Sequence, residues 1–384
     1  MNRPVRFFFP LVVTCLGVVL VIPNPVLGQK ARPREVYTEL PKTLVGYDAS
    51  VHVRISNEAD AKNVRQRVVD FLWPKGGLPV KKLPASKPVY ESGGSFPVEL
   101  NGLTVASVVR VEKLDAEVAF DYHHLSYLVH PADPGQDDRL VIIHQGHQGG
   151  LSDGIGDLAN HLLARGFTVL LMQMPLVGWN KDGTFDLPGG SETIKQRGTG
   201  GHNQMVSELE GKGGSSLRFF IEPVVSGINY FIKQKPKHRD ICMIGLSGGG
   251  WTTHLAAALD SRIGLSIPVA GAYPLYLRDH YPGSRGDAEQ VMPALYKDRA
   301  TWLDLYILSG YGEGRRQIQL LNQFDTCCFF GLGSQSYEKV VGDAVKSLHR
   351  GQWECVIDST HKSHKISEWA IEKIIAPALD SAER

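Results

Sequence analysis

Residues 241–254, ICMIGLSGGGWTTH, are the stretch on which the reading of this chain turns. ICMIG has the length and apolar character of a buried strand, and GGGWTTH opens a segment compatible with a helix. Between them Gly245-Leu246-Ser247-Gly248-Gly249 matches G-x-S-x-G. A serine placed between strand and helix occupies a strained turn, and the small residues two before and two after let neighbouring backbone pass closely. The helix that follows aims its first amides at negative charge developing beside the serine. A plain glycine-rich turn is the competing reading, and the flanking strand and helix favour a nucleophile. A phosphate-cradling loop fails, because Lys and Ser/Thr are missing where it needs them. Residues 211–216 (GKGGSS) fail the same pattern because Gly213 follows Lys212.

Outward from this point the chain alternates strand and helix. Short apolar runs that read as buried parallel strands lie at 140–144, 167–173, 241–245, 264–270, 317–322 and 354–357. Helical stretches lie at 155–165, 217–234, 251–260, 336–349 and 367–379. Such alternation predicts an α/β fold with a mostly parallel central sheet and helices on both faces. Residues 180–215, polar and rich in glycine, read as an excursion or lid over the strand ends. Upstream, 103–129 reads as β-structure, 74–97 as a loop, and 61–73 as a short helix ended by Pro74. Residues 29–104 are thus expected to form an N-terminal extension packed on a main domain at 105–384. No internal repeat is visible.

Composition bounds the function. The 384 residues are 42% apolar and 21% charged, enough to bury a large core. Lys and Arg number 41 against 40 Asp and Glu, so the basic excess of a nucleic-acid binder is absent. The start differs in kind. Arg3 and Arg6 precede the apolar run 7–22, followed by PNPVLGQ, the layout of a secretory signal peptide over residues 1–28, with cleavage expected after Gly28. An uncleaved anchor is the alternative, and the only membrane association the sequence offers; the run is short for a span and holds Pro10. The expected location is periplasmic or secreted. Beyond the leader four cysteines remain, too few for a disulfide framework. Cys242 and Cys355 read as buried thiols, and Cys327–Cys328 as two reduced, packed thiols in preference to a vicinal disulfide.

With the serine turn in place, the chain resembles the α/β-hydrolase superfamily, in particular secreted bacterial serine esterases of the carboxylesterase and acetyl xylan esterase kind. The resemblance covers residues 105–380 and extends to two further elements, in the order Ser, acid, His. The strand 140–144 runs into Gln145-Gly146-His147-Gln148-Gly149-Gly150, which resembles the superfamily's oxyanion loop. This implies that the amides of His147 and Gly248 bind the oxyanion. The departure from a plain His-Gly-Gly pattern leaves that donor's position open by one residue. His144 reads as a side chain holding the loop, with His144 and His147 as metal ligands the minor reading.

RQIQLLNQFD (316–325) is a strand running into Asp325, the acid expected to orient the base; Asp304 and Asp343 are weaker choices. For the base, His364-Lys365-Ile366-Ser367 resembles the His-x-Ile-Ser entry to the last helix in bacterial carboxylesterases. His361, nearer the strand end, is the second choice. Asp358, His361 and His364 also spell D-x-x-H-x-x-H, a metal-ligand spacing. Trp179, Asn180 and Trp251 are expected at the substrate pocket, and His202 in the excursion stays unassigned. The implied activity is carboxylic-ester hydrolysis through an acyl-enzyme, with an ester substrate, small or polysaccharide-linked, no cofactor and no bound metal. A serine peptidase of the same fold, a metal hydrolase on Asp358/His361/His364, and a non-catalytic binding protein are the rivals. The oligomeric state has no signal in the sequence.

Overall fold

A computed structural model describes residues 32–187, 190–195, 200–281 and 284–381. The expected leader at 1–28 and its cleavage point lie outside the described residues. Glu35–Arg384 form one compact unit.

Nine strands build the main sheet: β1 (Ala85–Glu91), β2 (Val108–Glu117), β3 (His123–Pro131), β4 (Gln136–Gln145), β5 (Phe167–Gln173), β8 (Ile241–Leu246), β9 (Leu265–Val269), β10 (Arg316–Asn322) and β11 (Gln352–Asp358). A separate hairpin pairs β6 (Asp182–Leu187) with β7 (Gly190–Lys195). The main order is β1-β2-β3-β5-β4-β8-β9-β10-β11. From β5 to β11 the strands run parallel, and the β1–β2, β2–β3 and β3–β5 pairs are antiparallel. Every residue of β5, β8 and β9 is buried, which is why these strands read as continuous apolar runs.

The alternation of Cβ direction along β4 sends its side chains into two cores. Leu140 and Ile142 join one core with the helices Glu58–Leu72, Arg218–Gln234, Gly248–Leu259 and Trp302–Gly310. Val141 and Ile143 join the other, with the helix Ile155–Ala164 and the C-terminal helix from Glu368. Each fully buried Leu or Ile contributes about 1.5–3 kcal/mol of transfer free energy, so both layers clamp the sheet. The mostly parallel, two-faced sheet expected from the sequence is therefore the observed one.

Three segments differ from the sequence reading. Residues 85–91, taken as loop, form β1; Pro88 is tolerated because β1 pairs on one side alone and slips register between Pro88 and Tyr90. The helix Trp302–Gly310 was not expected, because all nine of its residues are buried and no amphipathic period marks it. Its start carries a capping box, in which Thr301 Oγ1 accepts the Asp304 amide at 3.0 Å and Asp304 Oδ2 accepts the Thr301 amide at 2.9 Å. The excursion contains the β6–β7 hairpin and the helix Gly200–Leu209. No helix among the described residues is long and apolar enough to cross a membrane.

Candidate active site

Parallel strands bring their C-terminal ends together, and loops beyond those ends are where open α/β sheets bind ligands. Here Gln145, Leu246, Asn322 and Asp358 end four such strands. Ser247 follows β8 immediately and has φ 59° and ψ −121°, a conformation that costs a non-glycine residue of order 1–3 kcal/mol. The Ser247 amide donates to Val269 O at 2.9 Å, fixing the turn to the next strand. Glycine is required just beyond it, since a Cβ on Gly249 would stand 2.0 Å from His144 O. Gly248 opens a helix of twelve buried residues, so its amide is among the first four that lack an intrahelical acceptor.

Asp325 follows β10 and is fully buried. Its Oδ1 accepts the amides of Cys327 at 2.7 Å and Cys328 at 3.2 Å, and its Oδ2 lies 2.7 Å from His364 Nδ1. Opposite that contact, His364 Nε2 is buried without a hydrogen-bond partner among the described residues. The His364 loop is tied on two sides: Asn322 Nδ2 donates to Lys365 O at 2.9 Å, and the Ile366 amide donates to Asp153 O at 2.9 Å. Ser247 and His364 line one cavity of about 450 Å³ together with His147, Asp287, Gln290 and Phe329. The positive-φ residues Ser247, Asp153 and Phe329 all lie on its wall, so backbone strain concentrates there.

The loop after β4 packs against the serine turn. A Cβ on Gly146 would lie 2.7 Å from Ser247 Cβ and 2.9 Å from Gly248 N, so a glycine alone lets this loop pack against the serine turn. His144 is wholly buried and held neutral, its pKa pushed down to about 3 by burial and by His124. Its Nδ1 lies 2.9 Å from Gln145 O.

Other sequence candidates take different places. His361 Nε2 lies 3.2 Å from Asp358 Oδ2, away from Asp325. Asp358 accepts from Thr360 and from Ser367 Oγ, and Ser367 in turn caps the C-terminal helix by accepting the Ala370 amide at 3.0 Å. The D-x-x-H-x-x-H set is thereby split, with Asp358 and His361 together and His364 committed to Asp325. Asp304 serves its capping box, and Asp343 is an exposed partner of Lys339.

Trp179, Asn180 and Trp251, expected at the pocket, do not line the cavity. Trp179 Nε1 donates to Leu125 O at 2.8 Å and its ring meets Tyr127 edge-on. Asn180 Oδ1 accepts the Leu125 amide at 2.8 Å. Trp251 is fully buried and donates to Tyr296 OH at 2.7 Å. All three spend their polar atoms on structure. Cys327 and Cys328, expected as reduced thiols, are joined in a disulfide on the cavity wall. Cys242 is buried as expected, whereas Cys355 is half-buried; burial pushes the Cys355 thiol up to about 12.

A second cluster was missed. His202, on the helix Gly200–Leu209, is buried, and its Nδ1 stands 3.1 Å from His147 Nε2. His147 Nε2 is 2.9 Å from Asp287 Oδ2, and Glu289 lies beneath them with no solvent exposure. Asp287 and Glu289 sit at a four-residue helix, where no periodic pattern singles out acids.

The sheet order, the strained serine after β8 and the loops that follow β4, β10 and β11 define the α/β-hydrolase fold. Solved structures agree. An acetyl xylan esterase from Paenibacillus sp. R4 matches over 90% of this chain and 99% of its own, with 14% identity and a TM-score of 0.53. Acetyl xylan esterase 1 from Thermoanaerobacterium sp. JW/SL YS485 matches over 90% and 98%, with 13% identity and a TM-score of 0.51. A methylesterase matches over 88% and 68%, with 14% identity and a TM-score of 0.55. No family model and no curated protein matches the sequence.

Proposed function

We propose that this protein is an exported serine hydrolase that cleaves carboxylic esters through an acyl-enzyme. The observation that carries the proposal is the 2.7 Å contact of Asp325 with His364 Nδ1, which leaves Nε2 unpartnered in the cavity that holds the strained Ser247.

His364 Nε2 takes the proton of Ser247 Oγ as the oxygen attacks the ester carbonyl. Asp325 holds the imidazole in the tautomer with Nε2 free and stabilises the imidazolium that forms. The amides at His147 and Gly248 receive the developing oxyanion, each worth roughly 10²–10³ in turnover. His364 then protonates the departing alkoxide. Water, deprotonated by the same histidine, attacks the acyl-enzyme and releases the acid and Ser247.

A cavity of about 450 Å³ suits a small acyl group with part of its alcohol. The acetyl xylan esterases among the similar structures support a short acyl chain, including one carried on a polysaccharide. The test is release of p-nitrophenol from acetyl, butyryl and octanoyl esters. Turnover by the wild type that falls by roughly four orders of magnitude or more in Ser247→Ala is expected. Turnover that survives the substitution overturns the proposal.

A further inference from the structure

Four side chains from three separate segments converge beside the serine: His147 from the loop after β4, His202 from the helix Gly200–Leu209, and Asp287 and Glu289 from the segment before Met292. His147 Nε2 lies 2.9 Å from Asp287 Oδ2, 3.1 Å from His202 Nδ1 and 3.9 Å from Glu289 Oε1, and His202 Nδ1 lies 3.5 Å from Glu289 Oε1. Each residue offers one donor atom, and all four atoms fall within 4.8 Å of one another. A tetrahedral zinc ion with bonds of about 2.0–2.2 Å sets its ligands roughly 3.3–3.6 Å apart, close to these separations.

Hydrogen bonds leave part of this cluster unsatisfied. His202 Nε2 lies 2.7 Å from Pro175 O and donates there, which turns Nδ1 into the cluster. A backbone carbonyl that fixes the far nitrogen is the usual support of a metal-bound histidine. His147 Nε2 carries at most one proton, yet it faces Asp287, His202 and Glu289. Glu289 is completely buried, and neither of its carboxylate oxygens has a hydrogen-bond partner among the described residues. Leaving a buried carboxylate in that state costs several kcal/mol. Arg278 is the nearby buried cation, but its hydrogen bonds go to Tyr273 O and Arg285 O. Two carboxylates and two imidazoles thus turn one donor atom each towards a common point.

We infer that His147, His202, Asp287 and Glu289 form a binding site for a divalent transition-metal ion of the zinc type. Mixed imidazole and carboxylate donors suit such ions better than the all-oxygen shells of calcium or magnesium. The site is distinct from the D-x-x-H-x-x-H segment. Binding would staple the loop after β4 to the helix Gly200–Leu209 and to the segment around Asp287. His147 would then be held by its side chain while its amide faces the nucleophile. This last consequence rests on the esterase reading; the binding itself does not.

The test is titration of the chelator-stripped full chain with Zn²⁺ in competition with a chromogenic chelator. A zinc-edge X-ray absorption spectrum of the one-to-one complex accompanies it. One equivalent per chain and a spectrum with two imidazoles are expected. His202→Ala and Glu289→Gln, checked for folding by circular dichroism, should each weaken binding by more than about 100-fold, since even outer-shell partners are worth 10–100-fold. No stoichiometric binding by the wild type overturns the site. So does a spectrum without imidazole, or affinity unchanged in folded variants. If both variants fail to fold, the wild-type stoichiometry and spectrum decide alone. Loss of zinc binding in Ser247→Ala is not expected, which separates this test from that of the ester chemistry.

Discussion

Two histidine–carboxylate groups face the same cavity and solve opposite problems. At His364 one carboxylate meets one ring nitrogen, Asp325 is satisfied by two backbone amides, and the second nitrogen is left open. At His147 and His202 two rings and two carboxylates crowd together, and Glu289 has no hydrogen-bond donor among the described residues. The first arrangement is complete, and in the proposed mechanism it moves a proton. The second leaves acceptors over, and a bound cation is what would answer them. Proximity of acid and base does not by itself assign chemistry; the count of donors against acceptors does.

That contrast breaks most readily at Asp325. Asp325→Asn should lower kcat about 10⁴-fold, because the amide can donate to Nδ1 and favours the wrong tautomer. The matching change Asp358→Asn should leave kcat within about tenfold, since its partner His361 has no role in the proposed mechanism. Equal losses in both would erase the distinction between the two histidines, and steady-state kinetics on p-nitrophenyl acetate measure it.

Acid stability gives the next effect. His124, His144 and His254 are wholly buried, and burial depresses their pKa values to about 4, 3 and 3. All three are neutral in the folded protein at pH 7 and take up protons more readily when unfolded. Their contribution is present above the ordinary histidine value near 6.5 and is lost as pH falls from there towards 4. Each should cost about 1.4 kcal/mol per pH unit in that window. Urea unfolding between pH 7 and pH 4 should therefore show a steep loss, and a flat profile would contradict their neutral burial.

A smaller effect sharpens the role of Asp358. Burial opposes its charge, but the hydrogen bonds from Ser367 and Thr360 outweigh it and hold its pKa below the usual 3.8. Asp358→Asn should thus cost about 1–2 kcal/mol near neutral pH. The difference from wild type should vanish as pH drops through that lowered value. Ser367→Ala, which removes the helix cap, should cost about 1 kcal/mol in the same unfolding assay.

Legibility followed the same divide. The serine turn and Asp325 could be singled out because each follows a continuous apolar run, whereas His364 is preferred to His361, which lies nearer the strand end, from its resemblance to a His-x-Ile-Ser helix entry. Strands buried on both faces announce themselves by such unbroken runs, as β5, β8 and β9 do. The cluster of His147, His202, Asp287 and Glu289 had no such marker. Its members come from a loop, an excursion and a four-residue helix, and only folding brings them together. Trp179, Asn180 and Trp251 misled for a related reason: they sit next to strand ends in sequence, but Leu125 and Tyr296 claim their polar atoms. The helix Trp302–Gly310 was invisible because total burial removes the polar face that signals a helix.

The central claim is that Ser247 is a nucleophile activated by His364. Its most direct measurement is incubation with a fluorophosphonate probe, followed by intact mass and peptide mapping. A single adduct on the peptide containing Ser247, formed by the wild type and strongly slowed in His364→Ala, is the predicted result. Labelling at another residue, or no labelling of a protein that turns over p-nitrophenyl acetate, would contradict the account.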